Sequence, residues 1–213
     1  MTLDRRQFLS TAGAGLAAAA LAACTKDKGS PQGGSTTTTL PSQSSGNSPS
    51  DIALLKTAAS LEALAVSVYK RVSTASAVQD PTASEAMALF QAHHAAHQNS
   101  FNVLLDAIEV PTISDPNAVM TGVFDPAVAA AKTQDDIERL LLTLEDAIAQ
   151  TYVYATRFAT KPEYRVAFMT VAGVQARHRA LLGFTFETQT VQDLFPSSFA
   201  KDDNPLPPDA FLT

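Results

Sequence analysis

Residues 91–94 read Gln91-Ala92-His93-His94, and residues 175–178 read Gln175-Ala176-Arg177-His178. The chain has four histidines, and these two stretches with the neighbouring His97 hold all of them. Working outward, Gln91 follows Glu62 by 29 residues, and Gln175 follows Glu145 by 30. Each glutamate sits in a Leu-Glu pair, Leu61-Glu62 and Leu144-Glu145, with a tyrosine seven residues on, Tyr69 and Tyr152. Seven residues are two helical turns, so each Glu and Tyr share a face. The two halves of the chain therefore carry one polar signature, Glu and Tyr followed by Gln-x-x-His.

The apolar residues around this signature have helical spacing. Four helices are expected, over about residues 50–74, 81–109, 133–159 and 162–187. On the first, Leu55, Ala59, Glu62, Val66 and Tyr69 align, and Ser50-Asp51 can cap its start. On the second, Met87, Phe90, His94, His97, Phe101, Leu104 and Ile108 align. On the third, Leu141, Glu145, Ile148, Tyr152 and Ala155 align, and on the fourth Tyr164, Phe168, Val171, Gln175, His178 and Leu182. Pro81 and Pro162 fall where a first helical turn tolerates proline.

Short connections make the first and second helices, and the third and fourth, antiparallel hairpins. Between them, residues 110–132 carry Pro111, Pro116, Gly122 and Pro126 and read as one long crossover. The expectation is an all-α fold, an antiparallel four-helix bundle over residues 51–190. Residues 191–213 hold Pro196, Pro205, Pro207 and Pro208 and are expected to lay Phe195, Phe199 and Phe211 on the bundle irregularly.

This arrangement resembles the ferritin-like superfamily, and most of all its ferritin-like domains in exported bacterial proteins. The resemblance covers about residues 51–187. It implies a metal site built from Glu on the first and third helices and Glu-x-x-His on the second and fourth. By position, Glu62 and Glu145 take the first two places, and His94 and His178 the histidine places. Where the pattern has bridging glutamates, this chain has Gln91 and Gln175. Without those two charges the resemblance implies one divalent ion rather than two, because a second would go uncompensated in a low-dielectric core. Two imidazoles and two carboxylates accept Zn, Fe, Mn or Cu. His97 adds a candidate ligand, since His94 and His97 at i, i+3 share a face. In a second register, His94 takes the missing glutamate's place and His97 the histidine's. Gln91, Gln175, Tyr69 and Tyr152 would stand behind the ligands. His93, about 100° from His94 around the helix, is expected at the surface or behind a ligand.

Three functions remain open. One is a metal-binding protein. Another is a metal-free interaction module whose Glu, His and Gln side chains satisfy one another. The last is a redox-active metal oxidoreductase, against which the two amides argue, and no catalytic residue is assigned. Bundles of this kind frequently form homodimers, though no seam in the sequence marks one.

The front of the chain reads as an address. Arg5-Arg6-Gln7-Phe8-Leu9 precedes a run of small apolar residues ending at Ala23, too short and weakly apolar for a membrane span. The paired arginines resemble a twin-arginine export signal. Leu21-Ala22-Ala23-Cys24 resembles a bacterial lipobox, which would make residues 1–23 a removed signal and Cys24, the chain's one cysteine, the lipidated N-terminus. Residues 25–50 are mostly Ser, Thr, Gly, Pro and Gln and too polar to bury a core, so 24–50 is expected to be a disordered tether. The expected place is the outer face of a bacterial cell membrane.

Removing residues 1–23 takes away Arg5, Arg6 and Asp4 and leaves thirteen basic and twenty acidic residues, a net charge of −7. That balance argues against nucleic acid as a partner. With Cys24 consumed by lipid, no thiol remains for a disulfide or a thiolate metal site.

Overall fold

Ser48 caps the first described helix: its hydroxyl accepts from the Asp51 amide at 3.0 Å, and Pro49 follows at the first helical position. This is seen in a computed structural model of the protein, which describes residues 48–75, 77–186 and 206–212. The expected signal, Cys24, most of the tether, and Phe195 and Phe199 lie outside the described residues.

The elements in order are α1 (Pro49–Ser73), α2 (Pro81–Asp106), α3 (Ala118–Ala130), α4 (Gln134–Phe158), α5 (Pro162–Phe186) and a 3₁₀ turn (Pro208–Ala210). No strand occurs among the described residues, so the fold is a helical bundle, as its periodicity requires. Local chemistry sets the boundaries. Asp80 caps α2 ahead of Pro81, and Thr133 and Asp136 form a reciprocal capping box on α4. The expected cap from Ser50-Asp51 is not what starts α1. Asp51 instead accepts from the backbone amide and hydroxyl of Thr160, tying the start of α1 to the α4–α5 connection.

α1 packs along α2, and α4 along α5; the pairs meet through α1 against α4 and α2 against α5. Leu55, Leu61, Met87, Phe101, Leu141 and Phe168 are fully buried in the shared core. Each such side chain contributes about 1.5–3 kcal/mol by leaving water. By length and composition α1 is apolar enough to cross a membrane, but most of it is buried in the bundle.

The crossover contains a helix that the sequence reading treated as loop. Its prolines and glycine suggested a break, yet Met120 and Phe124 recur at i, i+4 and bury against the bundle, so packing outweighs weak propensity. Pro126 sits inside α3. Asn117 anchors this segment. Its side chain caps α3 by accepting from the Met120 amide and donates to Ser60 Oγ at 3.1 Å and the Ala210 carbonyl at 2.7 Å. The last segment closes over the same region, with the Leu206 and Leu212 amides donating to Thr151 and Thr57. Phe211 is half-buried, with its ring 5.6 Å from that of Tyr154.

Candidate metal centre

The polar face of each long helix turns into the middle of the bundle. There Glu62 (α1), His94 (α2), Glu145 (α4) and Gln175 (α5) are fully buried, and His178 (α5) is 2 % exposed. Helical spacing puts them there: each occupies a position that would otherwise hold a core residue, next to Leu61, Phe90, Leu144 or Val171.

His94 stands between the two glutamates. Its Nδ1 donates to Glu62 Oε2 at 2.7 Å, and its Nε2 meets Glu145 Oε1 at 3.0 Å. The tyrosines cross over: Tyr69 donates to Glu145 Oε1 at 2.5 Å and Tyr152 to Glu62 Oε1 at 2.6 Å. Gln175 Nε2 donates to Glu62 Oε1 at 2.9 Å. His178 Nδ1 lies 3.3 Å from Glu145 Oε1 but makes no hydrogen bond, while its Nε2 meets His93 Nδ1 at 2.9 Å. Phe90 stacks on the His178 ring with centroids 4.1 Å apart. At the edge, His97 Nδ1 is 3.6 Å from Glu62 Oε2.

Electrostatics follow from burying two carboxylates together. Burial alone would hold the His94 imidazolium down, but Glu145 and Glu62 override it and push its pKa up to about 10. Burial alone would raise Glu145; His94 and His178 override it and lower its pKa to about 2. Glu62 is lowered in the same way, against burial, by His94 and His97. Burial, and then the facing carboxylates, raise Tyr69 and Tyr152 well above the usual phenol range, so both hydroxyls stay donors. His178 is lowered by burial and the neighbouring imidazoles against the pull of Glu145.

The structure thus brings together Glu62, His94, Glu145, His178, Gln175, Tyr69 and Tyr152, with His97 at the edge. It does not bring in Gln91, which is half-buried and whose side chain makes no hydrogen bond among the described residues. The contacts follow the second register. His97 faces Glu62 as His178 faces Glu145, and His94 stands opposite Gln175 across 3.4 Å. Sequence equivalence of Gln91 and Gln175 does not survive as spatial equivalence, because α2 turns the face bearing His94 and His97 inward. The sequence left His93 between a surface place and one behind a ligand. The structure turns it toward α5, onto His178.

Two sets of donor atoms are close enough to share an ion, Glu62–His94–His97 and His94–Glu145–His178, each within 4.8 Å. The second fits better. Buried atoms without a hydrogen-bond partner include both Glu145 Oε2 and His178 Nδ1 in this set but only His97 Nδ1 in the other, where both Glu62 oxygens are occupied. Buried polar atoms normally have partners, so this cluster of orphans calls for one. The spacings of 3.0 and 3.3 Å suit neighbouring ligands, which stand roughly 3.0–3.5 Å apart when each is about 2.0–2.2 Å from the ion. The outer nitrogen of each imidazole is already held, His94 by Glu62 and His178 by His93, as is usual for metal-bound histidine.

A family model described as a ferritin-like domain matches residues 50–187. Neither the curated proteins nor the solved structures give a match.

Proposed function

The chain belongs to the ferritin-like family, and from that premise we propose that its bundle holds one divalent transition-metal ion, bound by His94 Nε2, Glu145 and His178 Nδ1. The observation that carries this is the pair of unpartnered buried atoms, Glu145 Oε2 and His178 Nδ1, in a donor set whose ligand atoms lie within 4.8 Å of one another. Glu62 acts as the second carboxylate: it balances the ion's charge with Glu145 and orients His94. A neutral imidazole has one free lone pair, so His94 serves one ion at a time and the two donor sets are alternatives. The reading takes the fold as two hairpins joined by a crossover containing α3, the four long helices forming the bundle.

Zn, Fe and Mn all suit two imidazoles with carboxylate oxygen. A bound ion of this class supplies Lewis acidity and, for Fe or Mn, a one-electron couple. The chain's own part is to fix the ligands, keep the two tyrosine hydroxyls donating to the carboxylates and keep water from the core.

The reading extends to location. Arg5-Arg6 and Leu21-Ala22-Ala23-Cys24 support an exported protein held by lipid on Cys24 at the outer membrane face. Cys24→Ser should then move the protein from the membrane fraction to the soluble one.

Elemental analysis tests the metal. Full-length protein purified without chelators should carry about one ion per chain, and Glu145→Ala/His178→Ala should carry none while keeping its helical circular dichroism. An ion retained in that variant but lost in Glu62→Ala/His97→Ala would move the site to the other donor set. The metal-free alternative has one observation in its favour, the His94 ring already lodged between two carboxylates. It gains if no ion binds even after refilling with Fe²⁺, Mn²⁺ and Zn²⁺.

A further inference from the structure

A pocket of about 340 Å³ opens between α2 and α5 beside the centre. Leu89, Val174 and Leu181 supply its apolar walls, and Phe90 continues them inward to the His178 ring. His93, His97 and His178 form its polar side, with Arg177 at the edge. The volume falls at the small end of the ~300–1,000 Å³ usual for small-molecule sites.

The lining has a definite electrostatic sense. It contains one guanidinium and three imidazoles and no carboxylate. Arg177 is exposed and has no ion pair among the described residues, so its fork is free to meet a ligand. A compact inorganic anion would leave the aliphatic walls unused, and Leu89, 52 % exposed, would stay in water. Guanidinium matches carboxylate geometry through two parallel hydrogen bonds.

We propose that this pocket binds a small organic carboxylate, its hydrocarbon against Leu89, Val174 and Leu181 and its carboxylate paired with Arg177. Bound there, the ligand touches His178 and His93. The ligand's nearness to a metal rests on the reading above; the binding itself does not. The pocket then gives the centre a substrate side, since His178 belongs to both.

Calorimetric titration of the full-length protein with hexanoate tests this, with hexan-1-ol and inorganic phosphate as comparison ligands. Metal-loaded and metal-depleted samples are both titrated, and metal content is measured in each. Hexanoate should bind saturably, with hexan-1-ol and phosphate each about tenfold weaker or more, the first lacking the charge and the second the chain. Arg177→Gln should weaken hexanoate about tenfold and leave hexan-1-ol unchanged. Leu89→Glu, at an exposed position, should abolish hexanoate binding without disturbing the fold. Equal binding of hexanoate and hexan-1-ol, phosphate binding as tight as hexanoate, no effect of Arg177→Gln, or no saturable binding would each overturn the proposal. Hexanoate bound by a protein that takes no metal would leave the pocket standing and remove the metal centre.

Discussion

The hydroxyl of Tyr69 on α1 donates to Oε1 of Glu145 on α4 at 2.5 Å, and both side chains are fully shielded from water. The reciprocal bond runs from Tyr152 on α4 to Glu62 on α1. Each tyrosine therefore serves the glutamate of the other hairpin and fastens the halves across the site. Tyr69→Phe removes the donor and leaves a buried carboxylate oxygen with His94 as its one hydrogen-bond partner. A hydrogen bond to a charged group contributes about 1.5–3 kcal/mol, so the metal-free variant should lose about that much stability in urea unfolding. A change under about 0.5 kcal/mol would show that water reaches Glu145 and that the site is not dry.

Glu62 and Glu145 look alike in sequence but have different roles in the proposed site. Glu145 has an oxygen without a partner and meets two histidines, whereas Glu62 is saturated by Tyr152, Gln175 and His94. Glu145→Gln should abolish stoichiometric metal. Glu62→Gln keeps the ligands but weakens the hold on His94, and should cost about 10–100-fold in affinity, as loss of such outer partners does. Affinities measured by competition with a coloured chelator separate the two variants. Equal losses would mean that both carboxylates are ligands, as the sequence pattern alone suggested.

Gln91 and Gln175 separate the sequence repeat from the spatial one. Gln91→Ala should leave metal content and unfolding midpoint within experimental error of the parent. Gln175→Ala removes a buried donor to Glu62 and should destabilise by about 1–3 kcal/mol. If Gln91→Ala proved the more damaging, the register described here would be wrong.

The helices and most of the cluster could be read from the chain because seven-residue spacing carries Glu62 to Tyr69 and Glu145 to Tyr152 on single faces. Polar residues on an apolar seam announce a site by themselves. Two things could not be read. α3 was hidden because Gly122 and Pro126 argue locally against helix, while the burial of Met120 and Phe124 that favours it depends on surfaces distant in sequence. The place of His94 was also hidden. Periodicity fixes which residues share a face, but rotation of α2 by part of a turn decides whether Gln91 or His97 faces Glu62, and that is set by packing of Met87, Phe90 and Phe101 against neighbouring helices.

The cluster also sets how stability depends on pH in the metal-free protein. His94 has its pKa raised from 6.5 to about 10. Its contribution is therefore fully present below about pH 6.5 and is lost as pH rises through about 10. Glu145 is lowered from 4.5 to about 2, so its contribution is fully present above about pH 4.5 and is lost as pH falls through about 2. The urea midpoint should be flat near neutrality and fall at both ends. His94→Gln should flatten the alkaline fall and also shrink the acid one, because His94 is the main group that lowers Glu145. Metal binding has the opposite dependence on His94, because an ion on Nε2 must displace the proton held between the carboxylates. Apparent affinity should then rise about tenfold per pH unit between about pH 6 and 8, the slope for one displaced proton. A flat affinity over that range would mean the ion does not use His94, and the centre would have to be rebuilt around Glu145 and His178 alone.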